Sequence, residues 1–144
     1  MLPSTPWLNY PVRVQPHQTD YAGVAWHGSY LAWLEEARID CLRQGGIEFA
    51  DLVNLGCDLP VVRLEARYLQ ALQFGQTACV RTRFVRQEKV RLCFDQWVVS
   101  PDLSLIYFQA SLQLVPLQRP TGKILRILPQ PLAAALHKLG QQSD

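Results

Sequence analysis

Apolar and polar residues alternate along most of this chain, and one early stretch breaks the alternation for a helical spacing. Residues 10–15 set Val12 and Val14 against Arg13 and Gln15 between Pro11 and Pro16, the two-residue period of a short strand with one buried face. Over 30–43 the period changes. At about 100° per residue Trp33, Ala37, Tyr30, Cys41 and Leu34 share one stripe, while Leu31, Ile39 and Leu42 add apolar surface outside it. The spacing predicts a helix buried along most of its circumference, with Ser29 as its N-cap and Gly45-Gly46 as its stop. Glu35 precedes Arg38 by one helical turn and is close enough to pair with it.

The remainder reads as strands. A second short helix fits 47–55, with Gly56 as its stop, and after Pro60 come four strand-like runs, 61–69, 77–86, 90–100 and 103–115. Their links, Gln87-Glu88-Lys89 and Pro101-Asp102, are short, which favours antiparallel hairpins, because a parallel pairing needs a longer crossover. Thr121-Gly122 predicts a turn, 124–128 a strand extension and 131–139 a terminal helix. The order is β-α-β-β-β-β, with one early apolar helix available to lie across a long antiparallel sheet.

Composition adjusts this picture in a few places. A chain of 144 residues predicts one domain over 1–144, with a core at about 10–116 and a C-terminal extension at 117–144. It is 49% hydrophobic and only 18% charged, below the usual charged share of about 25%, so surplus apolar surface is expected in a subunit interface. A net charge of +2 argues against a nucleic-acid partner. No apolar run reaches the roughly 20 residues of a membrane span, and nothing resembles a signal peptide. Cys41, Cys57, Cys79 and Cys93 lie far apart, with no metal-binding spacing, and read as reduced, buried thiols of a soluble cytoplasmic protein. Residues 1–7 and the terminal Gln-Gln-Ser-Asp are expected to fray.

The candidate chemistry sits at the mouth of the long helix. Asp20, before small residues and Gly23, is a turn residue by type, and His27 is by itself a helix-cap or core histidine. Together they read differently. They lie seven positions apart across a glycine-containing turn that leads into a helix N-terminus, whose free N–H groups can stabilise a developing oxyanion. A carboxylate in reach of that point could attack an acyl carbonyl or activate a water to do so, which points to acyl transfer to water.

The run Asp20, Gly23, His27, Tyr30, Leu31, Glu35, Ala37 and Arg38 resembles the motif D-x2-G-x3-H-x2-Y-L-x3-E-x-A-R of hotdog-fold acyl-CoA thioesterases of the 4-hydroxybenzoyl-CoA thioesterase and YbgC type. The resemblance covers about 10–116. It implies an α+β hotdog fold, a five-stranded antiparallel sheet curled around one long helix, and hydrolysis of a small or aromatic acyl-CoA such as 1,4-dihydroxy-2-naphthoyl-CoA. It also implies a homodimer or homotetramer with sites at the interface, and no cofactor beyond the coenzyme A of substrate and product. Asp20 would be nucleophile or general base, His27 would assist by side chain or backbone N–H, and Gly28 and Tyr30 would shape the pocket. Glu35 and Arg38 would tie the helix down, with Glu35 and Glu36 as further carboxylate candidates. Arg86, Lys89 and Arg91 would either meet the phosphates of coenzyme A or guard a strand edge against aggregation. The chain departs from the family after Tyr68, where Ala71 stands for the usual Pro and Gln76 for the usual Asp. A competing reading of the same residues is a module that binds acyl-CoA or acyl-carrier protein without hydrolysis.

Overall fold

The computed structural model describes residues 6–140. Strand β1 (Leu8–Arg13) leads through a single 3-10 turn (Pro16–Gln18) to helix α1 (His27–Gln44), helix α2 (Phe49–Asn54) and strand β2 (Cys57–Asp58). Strands β3 (Val61–Tyr68), β4 (Thr77–Glu88), β5 (Arg91–Val99) and β6 (Ile106–Leu114) follow, then β7 (Leu117–Gln118) and helix α3 (Gln130–Gly140). The five long strands form one antiparallel sheet in the order β1-β4-β5-β6-β3, and β2 and β7 make a small separate ribbon. This is the α+β architecture expected from the alternation. The ribbon is an addition, because two-residue strands leave no periodicity to read.

Helix α1 lies on the sheet because each has one apolar side to cover. Tyr30, Trp33, Leu34, Ala37, Cys41 and Leu42 of α1 are buried together with Ala78 and Val80 of β4, Leu92, Phe94 and Val98 of β5, and Phe108, Ala110, Leu112 and Leu114 of β6. A fully buried side chain of this size contributes on the order of 1.5–3 kcal/mol. The helix is less enclosed than its composition suggests. Leu31 and Ile39 are exposed, because the sheet covers one side of α1 and leaves the other open. Helix α3 packs on β4 and α1 and buries Leu132, Ala135, Leu136 and Leu139 in the same core. At the crossing Gly45 is required: a Cβ there would stand 2.9 Å from the backbone oxygen of Ala135.

The two sheet edges differ. Beyond β1, α3 packs along β4, whereas β3 has no neighbour outside it among the described residues and exposes Val61, Val62, Leu64 and Tyr68. Trp7, expected to fray, instead packs against Trp97 with ring centroids 5.2 Å apart and beneath the Arg83 guanidinium. Residues 1–5 and 141–144, the rest of the expected frayed ends, lie outside the described residues. All four cysteines are free, three of them buried, and burial pushes the Cys41 thiol up to about 12. No helix of the described residues is long and apolar enough to cross a membrane.

Candidate active site

The segment before α1 is pinned from both sides. Asp20 N–H donates to the Val24 carbonyl at 2.8 Å and Gly23 N–H to the Asp20 carbonyl at 3.0 Å, with Gly23 at φ +80°, where a side chain would be strained. Ala25 N–H then bonds Leu72 O at 2.7 Å and Trp26 N–H bonds Gln18 O at 2.8 Å, which fixes where α1 begins. The helix starts two residues before Ser29. Ser29 is therefore not the N-cap: it lies inside the first turn, and its hydroxyl donates to Gln18 O at 2.8 Å. The N-cap is Trp26, which offers no side-chain cap.

That absence leaves a donor pair. Ser29 N–H bonds Trp26 O at 2.8 Å, but the N–H groups of His27 and Gly28 have no acceptor among the described residues. Gly28 carries the close approach of Trp26, whose indole would lie 2.1 Å from a Cβ at that position. Asp20 is exposed. Its Oδ1 accepts the Ala22 N–H at 2.8 Å, the local turn chemistry its sequence suggested, and its Oδ2 accepts nothing among the described residues. One open cleft is lined by Asp20, Ala25, His27, Tyr30, Tyr68 and the 69–71 segment. Asp20, His27 and Tyr30 thus share a cleft, while Gly28, next to His27 in the first turn of α1, is not among its lining residues.

Tyr30 is buried at the base of the cleft, stacked on Phe108 with centroids 5.0 Å apart, and desolvation raises its hydroxyl above the usual range. The His27 imidazole is exposed and lies against the Trp26 ring, centroids 4.7 Å apart. Tyr68, which spacing did not single out, donates its hydroxyl to the His27 carbonyl at 2.7 Å. In the sequence it stood out only through the resemblance, as the tyrosine after which the chain departs from the family, and through its place at the end of an alternating strand; the structure sets it in register with Phe108.

The other candidates lie elsewhere. Glu36 accepts a 3.4 Å hydrogen bond from Tyr10 on the β1 side. Arg38 does not pair with Glu35. Its guanidinium donates to Gln96 Oε1 at 2.9 Å, while Gln96 Nε2 donates to Leu34 O at 2.8 Å and Thr82 Oγ1 at 2.9 Å. Gln96 and Thr82 are fully buried polar residues on the inner sheet face, and they draw Arg38 inward; burial lowers its pKa, with Glu35 acting in the opposite direction. Glu35 and Arg38 instead border a part-open cavity of about 130 Å³ between α1, α2 and the sheet, with Leu42, Leu52, Leu59 and Phe94 among its apolar walls and the Asp58–Arg119 ion pair among its charged ones. Arg86, Lys89 and Arg91 surround the β4–β5 turn. Arg86 is paired with Glu88 at 3.1 Å, Arg91 donates to Gln113 at 2.6 Å, and Lys89 holds the turn at φ +58°. Within one chain this turn is at the opposite end of the sheet from Tyr68, about 20 Å along β6 at a strand rise of about 3.3 Å.

Comparison with known proteins places the chain in a family. Residues 22–107 match the family model described as the Thioesterase superfamily. The chain is 47% identical over 135 residues to the putative esterase sll0410 of Synechocystis, covering 94% of this chain and 81% of that one. It is 26% identical to the acyl-CoA thioester hydrolase YbgC of Escherichia coli over 103 residues, 72% of this chain and 77% of that one. Among solved structures, Slr0204, a 1,4-dihydroxy-2-naphthoyl-CoA thioesterase from Synechocystis, superposes with a TM-score of 0.82 at 22% identity, covering 92% and 96% of the two chains.

Proposed function

The chain belongs to the thioesterase superfamily and is a thioester hydrolase, and we propose that it hydrolyses small or aromatic acyl-CoA thioesters in the cleft between Asp20 and the first turn of α1. What supports this reading is that Asp20, whose Oδ2 accepts nothing among the described residues, lines one cleft with His27, where the helix begins with two N–H groups, of His27 and Gly28, that have no acceptor among those residues. Asp20 attacks the thioester carbonyl, or takes a proton from the water that does. The carbonyl oxygen becomes an oxyanion held by the two amides, the C–S bond breaks, and the coenzyme A thiolate leaves and takes up a proton. On the nucleophilic route a water then cleaves the acyl anhydride on Asp20. His27 serves through its backbone N–H, with its imidazole on the same cleft. Asp20 and backbone amides supply every group of this step, so coenzyme A enters only with substrate and product.

The active form is a dimer in this reading. Strand β3 offers an unpaired edge with exposed Val61, Val62 and Leu64, and an isolated edge of this kind invites a second strand. Antiparallel self-pairing about a two-fold sets the Val61 end of one copy beside the Tyr68 end of the other. The β4–β5 turn with Arg86, Lys89 and Arg91 lies at the Val61 end, through the pairings of Leu114 with Val61 and Leu92, and so does the part-open cavity beside Leu59. The basic turn then serves the phosphates of coenzyme A bound at the neighbouring cleft, and the cavity takes the acyl group. The free cysteines support a cytoplasmic setting.

A thiol-release assay over aliphatic and aromatic acyl-CoAs, 1,4-dihydroxy-2-naphthoyl-CoA included, tests the reading, with Asp20→Asn as control. Turnover lost in the variant while folding and assembly persist is the expected result; unchanged hydrolysis overturns the assignment of Asp20. Sedimentation showing a monomer at micromolar concentration overturns the dimer.

A further inference from the structure

The Tyr68 hydroxyl and the Gly28 N–H act on one peptide unit. Tyr68 donates to the His27 carbonyl at 2.7 Å, and that carbonyl belongs to the planar, trans amide whose N–H is that of Gly28. Resonance couples the two ends. A donor on the oxygen draws electron density from the nitrogen, so the N–H on the far side becomes a stronger donor, the polarisation seen along hydrogen-bond chains. The same bond resists rotation of that peptide plane, which at an uncapped helix start has no side chain to steady it.

The Tyr68 ring is itself held. It stands edge-on to Tyr30 at 5.3 Å and to Phe108 at 4.9 Å, and the Leu69 and Gln70 amides beyond it both bond Tyr107 O, at 2.8 and 3.2 Å. The hydroxyl therefore reaches the helix from a fixed strand end, 41 residues away in sequence.

We propose that Tyr68 is a positioning residue for thioester hydrolysis: by bonding the His27 carbonyl it orients and strengthens the Gly28 N–H as an oxyanion donor. This rests on the thioesterase reading of the cleft. Because negative charge on the carbonyl oxygen is greatest in the transition state and the tetrahedral intermediate, the effect falls mainly on kcat, with a smaller polarisation of the bound thioester carbonyl.

Tyr68→Phe keeps the ring and its packing and deletes only the hydroxyl. The expected result is a kcat lower by about tenfold with KM within about twofold, a smaller loss than the 10²–10³-fold typical of removing a whole oxyanion donor. A second readout isolates the electrostatics. In Asp20→Asn, loaded with a ¹³C-carbonyl acyl-CoA, the thioester C=O stretch should sit at lower frequency with Tyr68 present than in the Asp20→Asn, Tyr68→Phe double variant. A kcat within twofold of the parent, or a carbonyl band that does not move, overturns the proposal. No thiol release by the parent protein on any acyl-CoA overturns the functional reading instead, so the two failures are distinguishable.

Discussion

The two ends of α1 are built on opposite plans. The C-terminal end is closed: Gly46 N–H bonds Arg43 O at 2.9 Å, Ile47 N–H bonds Leu42 O at 3.0 Å, Gly46 turns at φ +104°, and Ile47 is buried. This is the glycine-based motif that satisfies the last carbonyls of a helix. The N-terminal end is left open, with Trp26 where Asp, Asn, Ser or Thr would cap and two amides without acceptors among the described residues. Forgoing a side-chain cap costs on the order of 1 kcal/mol. The helix is anchored where it only has to be stable and unfinished where, on the proposed reading, a substrate oxygen would finish it.

The contrast is sharpest at Asp20. Asp20→Asn should reduce turnover by about 10²–10⁴-fold with an unchanged melting temperature, whereas no substitution confined to the far end should reduce turnover per folded molecule. A direct way to break the comparison is to cap the open end. Trp26→Asn places a cap oxygen within reach of the first-turn amides, so kcat should fall by about tenfold or more while helix stability is held or rises by up to about 1 kcal/mol. Thermal melts beside steady-state kinetics decide it, and a variant that gains stability and keeps its rate removes the trade.

Gln96→Leu tests the middle of the helix. It takes from half-buried Arg38 its acceptor and should cost about 2–3 kcal/mol in urea unfolding. At the closed end, Gly45→Ala forces α3 back from 2.9 Å and should cost about 1–3 kcal/mol, with kcat unchanged. The smallest effect is an acid one. The β5–β6 link lies at the Tyr68 end of the sheet, where hydrogen bonds from Ser100 and Ser104 hold the Asp102 carboxyl down to about 2. Because the folded value is depressed from 3.8, its contribution is fully present above about pH 4 and lost as pH falls through about 2. An NMR titration of Asp102 should follow that window, and the neutral-pH rate should not depend on it.

Most of the architecture was legible because it rests on periodicity. Alternation placed the long strands of the sheet, and the 30–43 stripe placed the buried side of α1, since both are consequences of one-sided burial. The site was legible in part. Asp20, Gly23 and His27 are local in sequence, so spacing brought them to one turn. Arg38 was misjudged because its neighbour on the helix was visible and its true partner was not: Gln96 is 58 residues away, and it stands out only as a polar residue on the inner face of β5.

What the sequence determines by itself is whatever a period or a short turn can encode: strands, one apolar helix, an acid just before that helix, and glycines where it stops. What only the tertiary structure decided is which backbone groups remain unbonded. The helix starts at His27, not after Ser29, because Gln18 accepts from Trp26 and Ser29 and Leu72 accepts from Ala25. Those bonds cross between segments, so no local pattern carries them. The same long-range closure brings the Tyr68 hydroxyl to the peptide whose other face is the Gly28 N–H.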